Sequence, residues 1–167
     1  MPKRFYITTP LYYSNDEPHI GHAYTTILAD VIARYQRMFT GAGTVHFLTG
    51  LDEHGQKVAR AAGKLGREPQ AHCDLMAEVW KGIWGKLNIS YDDFIRTTEE
   101  RHIWVVTDLL NLLRDKGDIY QKEYEGWYSV FEERFFTEKD LVDGKDPIGG
   151  RAVEWIQERN YFFLMSK

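Results

Sequence analysis

A chain of 167 residues, 43% hydrophobic and 28% charged, is globular and long enough for one full core plus a small addition. Its formal net charge of -4 argues against a dedicated nucleic-acid-binding module, whose contact face is basic, but leaves room for a large RNA partner held through another domain. The lone Cys73 allows no internal disulfide, no apolar run approaches the roughly 20 residues of a membrane span, and Lys3 and Arg4 lead into no signal-peptide core. The expectation is a soluble cytoplasmic protein, with an organelle not excluded.

In chain order, Phe5 to Thr9 reads as a buried strand and Pro10 to Pro18 as a loop. From His22 to about Met38, Ala23, Ile27, Val31, Ile32 and Tyr35 recur at helical spacing and predict an amphipathic helix with these residues inward. Val45 to Leu48 reads as a second strand, and Gln56 to Leu65 as a helix closed by Gly66. Strand, helix, strand, helix at this spacing is a βαβ crossover, so the fold class is α/β with a parallel sheet. Its ligand crevice lies at the carboxyl ends of the strands, where loops 10–21 and 49–55 fall.

Pro69 suits a first helical turn, and the following helix runs to Leu87 with Leu75, Val79, Ile83 and Leu87 apolar. Ser90 to Asp93 is a polar break. Glu99 to Leu113 predicts a further helix with Ile103, Val106, Leu109, Leu110 and Leu113 on its inner side, ended by Gly117. Trp80, Trp84 and Trp104 are expected in the core. From Asp118 onward aromatics crowd between glycine breaks, the pattern of short antiparallel strands. Two domains are therefore expected, residues 1–117 and a strand-rich insert, 118–167.

His19-Ile20-Gly21-His22 sits between the first strand and the first helix. Two imidazoles there can donate to phosphate oxygens as charge builds on them, and Gly21 admits a nucleotide close to the backbone. The same histidines also suit helix capping or an ordinary surface. Asp52, in Asp52-Glu53-His54, can pair with a substrate ammonium from a strand end, or serve as a helix N-cap with Glu53 in the first turn. Two ligands at the spacing of Asp52 and His54 are too few for zinc. Leu11, Tyr12 and Tyr13 form either one wall of an apolar pocket or part of the core.

The segments Pro10 to Asn15, His19 to His22, Ala29 to Met38 and Thr49 to Lys57 resemble the methionyl-tRNA synthetases, class I aminoacyl-tRNA synthetases. The resemblance continues through Tyr124 to Tyr128 and Tyr161 to Phe163, so it covers essentially the whole chain, as the amino-terminal portion of the catalytic domain. It implies a Rossmann-like catalytic domain interrupted by a connective insert, and ATP-dependent activation of L-methionine followed by transfer to tRNA(Met). Carried onto this sequence, His19 and His22 are catalytic, and Tyr13, His19, Gly21 and His22 contact ATP, which comes with Mg2+. Leu11, Tyr13 and Asp52 bind methionine, with Asp52 on the ammonium.

Many family members carry zinc knuckles in the insert. The matching positions here are Ser129, Glu132, Asp146 and Gly149, which offer no thiolate, so the expectation is an insert without structural zinc that need not be whole. Phe163 to Lys167 echoes the family's lysine-rich loop but lies in the wrong register for it. The chain is thus expected to be a fragment with little activity alone, of unspecified oligomeric state. Other adenylyl-transferring enzymes share the histidine turn, but these should carry a basic signature near the carboxyl end and no aromatic insert; a truncated binding protein is the other alternative.

Overall fold

In the computed structural model, which describes residues 4–166, strand β1 (Phe5–Thr8) pairs in parallel with the first half of β3 (Val45–Asp52). The chain then bulges: between the pairs Thr8↔Leu48 and Tyr12↔Leu51, the three residues Thr9, Pro10 and Leu11 face only Thr49 and Gly50. It resumes as β2 (Tyr12–Tyr13), also parallel to β3. Strand β4 (Asp93–Arg96) pairs with β3 from Leu48 to Leu51. Because Leu48 and Leu51 each have a partner in β4 as well as in β1 or β2, β3 is central, with β1 and β2 in succession along one edge.

Helix α1 (Ile20–Thr40) joins β2 to β3, and α2 (Gln56–Lys64) and α3 (Pro69–Lys86) join β3 to β4. One face of the sheet is covered. Ala29 and Ala33 of α1 pack on Val45 and Phe47, and Met76, Ala77, Trp80 and Trp84 of α3 pack with Tyr12, Leu51 and Phe94. A carboxylate fastens α1 to the start of β4: buried Asp30 accepts from Arg34 Nε and the Ser90 amide, each at 2.7 Å. On the opposite face Tyr6 is 60% exposed and stacks on His46, its register partner, at 5.7 Å.

The α/β class, the parallel Rossmann-like sheet and the strand-rich insert are as the sequence predicts, but several assignments need correction. The polar break at Ser90 to Asp93 runs directly into β4, which the sequence reading lacks, and β2 lies inside the expected loop. Strand β3 extends four residues past Leu48, to Asp52. The inward face of α1 is Thr26, Ala29, Asp30 and Ala33, while Ile27, Val31, Ile32 and Tyr35 are exposed. Small residues let a helix approach a sheet closely, so they, and not the bulkier stripe, meet β3. In α3 the buried set is likewise shifted, to His72, Cys73, Met76, Ala77, Trp80 and Trp84, with Leu75 and Leu87 exposed. Helix α4 (Glu100–Asp115) has no buried residue; Ile103, Val106, Leu109, Leu110 and Trp104 are all exposed.

The chain divides after Ile103 into two compact units. In the second, β5 (Ile119–Ser129) is flanked by antiparallel β7 (Glu154–Phe163), from Ile119↔Phe163 to Tyr128↔Glu154, and by the short β6 (Arg134–Phe136). Antiparallel pairing is as expected, though β5 and β7 are long, with 11 and 10 residues. Tyr124 meets Phe135 edge-on at 4.8 Å, and Trp127 meets Trp155 at 5.2 Å.

Ser129, Glu132, Asp146 and Gly149 come together. The buried Asp146 carboxylate accepts from the amides of Ile148 (3.1 Å), Gly149 (2.5 Å) and Arg151 (3.1 Å) and from Ser129 Oγ (3.3 Å), which in turn accepts from the Glu132 amide. A carboxylate with several backbone donors closes this turn. Those donors, led by the Gly149 amide and opposed by burial, hold the Asp146 carboxyl below the usual range. With the folded-state value depressed, its stabilisation is full above the ordinary Asp value of about 3.9 and is lost as pH falls through the depressed one. In an NMR titration the Gly149 and Arg151 amide resonances should therefore hold steady down to about pH 4 and move together below it. A midpoint at or above the ordinary value would contradict the arrangement.

Candidate functional site

Helix α1 begins with a reciprocal cap. His19 is extended (φ -113°, ψ 176°), and its Nδ1 accepts the Gly21 amide at 3.0 Å; the His19 amide donates to Nδ1 of His22 at 3.2 Å. The two rings stack with centroids 3.7 Å apart. Since Nδ1 of each ring is an acceptor, each ring proton sits on Nε2, the nitrogen farther from the backbone. Capping and phosphate donation are therefore compatible, being done by different nitrogens at a helix N-terminus that already favours anions. The spacing of the pair suggested either role; the geometry permits both at once.

Gly21 has a more local reason than close approach of a nucleotide. An added Cβ would lie 2.9 Å from His19 Cε1 and 3.1 Å from its Nδ1, displacing the ring that caps the helix. His22 rests on an aromatic wall of Tyr12, at 4.9 Å, and Trp80, at 5.0 Å, themselves stacked 5.0 Å apart, and of these two the sequence-based reading sets only Tyr12 beside the turn. Tyr12 Oη pairs with Thr26 Oγ1 at 2.8 Å, and Trp80 Nε1 donates to the Asp16 carbonyl at 3.1 Å, tying the loop before α1 to α3. Tyr12 is thus a core residue. Burial on this wall, and secondarily the charge of His19, lowers the His22 pKa from its ordinary value.

Asp52 is the register partner of Tyr13 at the carboxyl end of the sheet, and side-chain alternation puts both on the face opposite Tyr12 and Leu51. Asp52 is half-buried and Tyr13 is 40% exposed, with Lys57 Nζ 5.4 Å from its ring centre. Asp52 Oδ1 accepts the His54 amide at 3.1 Å, while Oδ2 accepts no hydrogen bond among the described residues. The helix-cap reading of Asp52 is corrected: α2 starts after Gly55, which makes no side-chain cap, so neither Asp52 nor Glu53 lies in its first turn. Leu11 lies in the bulge between β1 and β2, 38% exposed. The two-residue β2 thus joins the two parts of the site, with Tyr12 toward the histidines and Tyr13 toward Asp52. No cluster of three or more potential metal-ligating His, Cys, Asp or Glu side chains occurs among the described residues.

Residues 5–165 match the family described as tRNA synthetases class I (M). The chain belongs to this family. It is 53% identical to methionine–tRNA ligase 1 of Bacillus cereus, covering 99% of this chain and 26% of that one, and 51% identical to methionine–tRNA ligase of Thermotoga maritima, covering 98% and 26%. It superposes on Mycobacterium tuberculosis methionyl-tRNA synthetase, solved in complex with methionyl-adenylate, with a TM-score of 0.89 and 44% identity, over 97% of this chain and 32% of that one. The chain spans about a quarter of the length of the curated relatives it matches.

A depressed His22 means that the unfolded chain binds more protons, so its neutral form supports folding above the ordinary histidine value of about 6.5 and penalises it increasingly below. An imidazole NMR titration should give His22 a midpoint below that value. His19→Ala should restore only part of the shift, because burial outweighs the neighbouring charge. A midpoint at or above about 6.5 in the intact chain would contradict the packing on Tyr12 and Trp80.

Proposed function

We propose that the full-length protein containing this chain is a methionine–tRNA ligase, which joins L-methionine to ATP as methionyl-adenylate and passes the aminoacyl group to tRNA(Met). The observation that carries this reading is the reciprocal cap of His19 and His22, which leaves two Nε2–H donors at a helix N-terminus. The identity to methionine–tRNA ligases and the likeness to a structure holding methionyl-adenylate support it. As the methionine carboxylate attacks the α-phosphorus and pyrophosphate departs, negative charge grows on the phosphate oxygens. Donors already fixed in place stabilise that charge without reorganising. Gly21 keeps the His19 ring seated, and Tyr13 borders the ATP. Mg2+ carried by the ATP would supply further positive charge at the phosphates.

On the other face of the sheet end, Asp52 Oδ2 receives the methionine ammonium, and Leu11 and Tyr13 contact the unbranched side chain. Residues 1–117 serve as the amino-terminal half of the catalytic domain and 118–167 as a connective insert without structural zinc. The chain by itself has little activity, and the protein works in the cytoplasm. No helix among the described residues is long and apolar enough to cross a membrane.

Methionine-dependent ATP–pyrophosphate exchange in the full-length protein tests the site. Replacing His19 or His22 by alanine should cost about 2–4 kcal/mol of transition-state stabilisation with a smaller change in ATP binding. Asp52→Asn should chiefly raise the methionine KM, since the ammonium then enters beside a neutral amide. Exchange should favour methionine over leucine, isoleucine and valine. Near-normal turnover in the histidine variants, or another preferred amino acid, would sink the assignment. Elemental analysis should find no stoichiometric zinc in the insert, and a strong chelator should leave its melting temperature unchanged; one zinc per chain would reverse that part of the reading.

A further inference from the structure

Beside Asp52 lies a second carboxylate whose environment is of the opposite kind. The Glu53 side chain is fully buried, and both of its oxygens are taken: Oε1 by Arg96 Nε at 2.6 Å, Oε2 by the hydroxyl of Thr98. Its amide donates to Thr97 Oγ1 at 2.9 Å. Arg96 closes β4 and reaches with its other arm to Asp74 of α3 at 2.6 Å; Asp74 and Thr98 also receive the Gln70 amide. His54 Nε2 lies 3.4 Å from the Thr97 carbonyl. Glu53 is thus unavailable to a ligand, yet it anchors one side of the Asp52–His54 turn, its side chain to Arg96 and Thr98 and its amide to Thr97. The other side is fixed by Ser14, whose amide and hydroxyl both donate to the Asp52 carbonyl, at 3.1 and 3.3 Å.

We propose that Glu53, clamped by Arg96 and Thr98, is a positioning residue that fixes where the Asp52 carboxylate points, and so sets affinity for the ammonium of the amino-acid substrate. The inference rests on Asp52 being the ammonium binder. An ion pair pays for its desolvation only when its geometry is good and its remaining valences are filled, as here. Removing the Glu53 charge leaves Arg96 held by Asp74 alone and frees the Glu53 side of the turn, and the turn relaxes. Among the described residues, no hydrogen bond or ion pair joins His19 or His22 to this network.

The test is a cycle of variants in the full-length protein, read by KM for methionine and for ATP in pyrophosphate exchange. Glu53→Gln should raise the methionine KM about tenfold or more with the ATP KM within about twofold, and should add little once Asp52→Asn is present. Thr98→Val, which deletes one donor from a half-buried loop position and keeps the ion pair, should raise the methionine KM selectively by about threefold and covers the case in which Glu53→Gln does not fold. Parallel rises in both KM values, full additivity with Asp52→Asn, or an unchanged methionine KM in the folded variants would overturn the proposal. An Asp52→Asn protein with normal methionine KM would overturn the ammonium reading itself, and the positioning role with it.

Discussion

The site depends on how closely β3 is held between its neighbours. From Leu48 to Leu51 this strand is paired with β4 on one edge and, across a bulge, with β1 and β2 on the other. At its midpoint only glycine fits: a Cβ on Gly50 would lie 1.9 Å from the Ile95 carbonyl oxygen and 2.7 Å from Ile95 Cγ2. That close approach brings the ends of β3 and β4 together, so that Arg96 on one reaches Glu53 just beyond the other. The bulge on the opposite edge sets Tyr12 and Tyr13 against Leu51 and Asp52. A parallel sheet presents its ligand groups at its carboxyl end, and the backbone constraint at Gly50 determines which side chains meet there.

Two adjacent acids illustrate how the fold divides work that composition leaves equivalent. Among the described residues Asp52 keeps one carboxylate oxygen without a hydrogen bond and remains half-exposed, whereas Glu53 is buried with both oxygens engaged. Asp52 is the last residue of β3, and Glu53 follows outside the strand. Strand alternation separates Tyr12, packed on Trp80 and His22, from Tyr13 beside Asp52. In the insert, Asp146 shows a further use of a carboxylate: its four donors converge from Ser129, Ile148, Gly149 and Arg151, closing a turn.

Much of this was legible in the residues, and for physical reasons. A strand followed by histidines and glycine at a helix start is a local pattern, so both the turn and the parallel crossover could be read directly. Strand β4 was not, because Asp-Phe-Ile-Arg following Ser90 to Asp92 resembles a polar break until the pairing with β3 is known. The partners of Glu53 are invisible to spacing, since Arg96 and Thr98 lie 43 and 45 residues away. The apolar stripes of α1 and α4 were real as patterns but did not face the core described here. Periodicity reports that a face is apolar, not what covers it.

The histidine turn shows why cap and catalytic roles need not compete. A capping side chain is usually spent on its cap, as Ser or Asp would be, because one short polar group bonds one amide. Imidazole has two nitrogens on opposite edges of a rigid ring. Using Nδ1 of His19 for the Gly21 amide, and Nδ1 of His22 for the His19 amide, fixes both rings in angle and tautomer. The stacking of the rings and the wall of Tyr12 and Trp80 then restrict the remaining freedom of His22. An oxyanion-stabilising donor is effective to the extent that it is oriented before charge develops. In the proposed reaction the cap would therefore supply the orientation that a surface histidine has to find during each reaction, with the bonds that begin the helix.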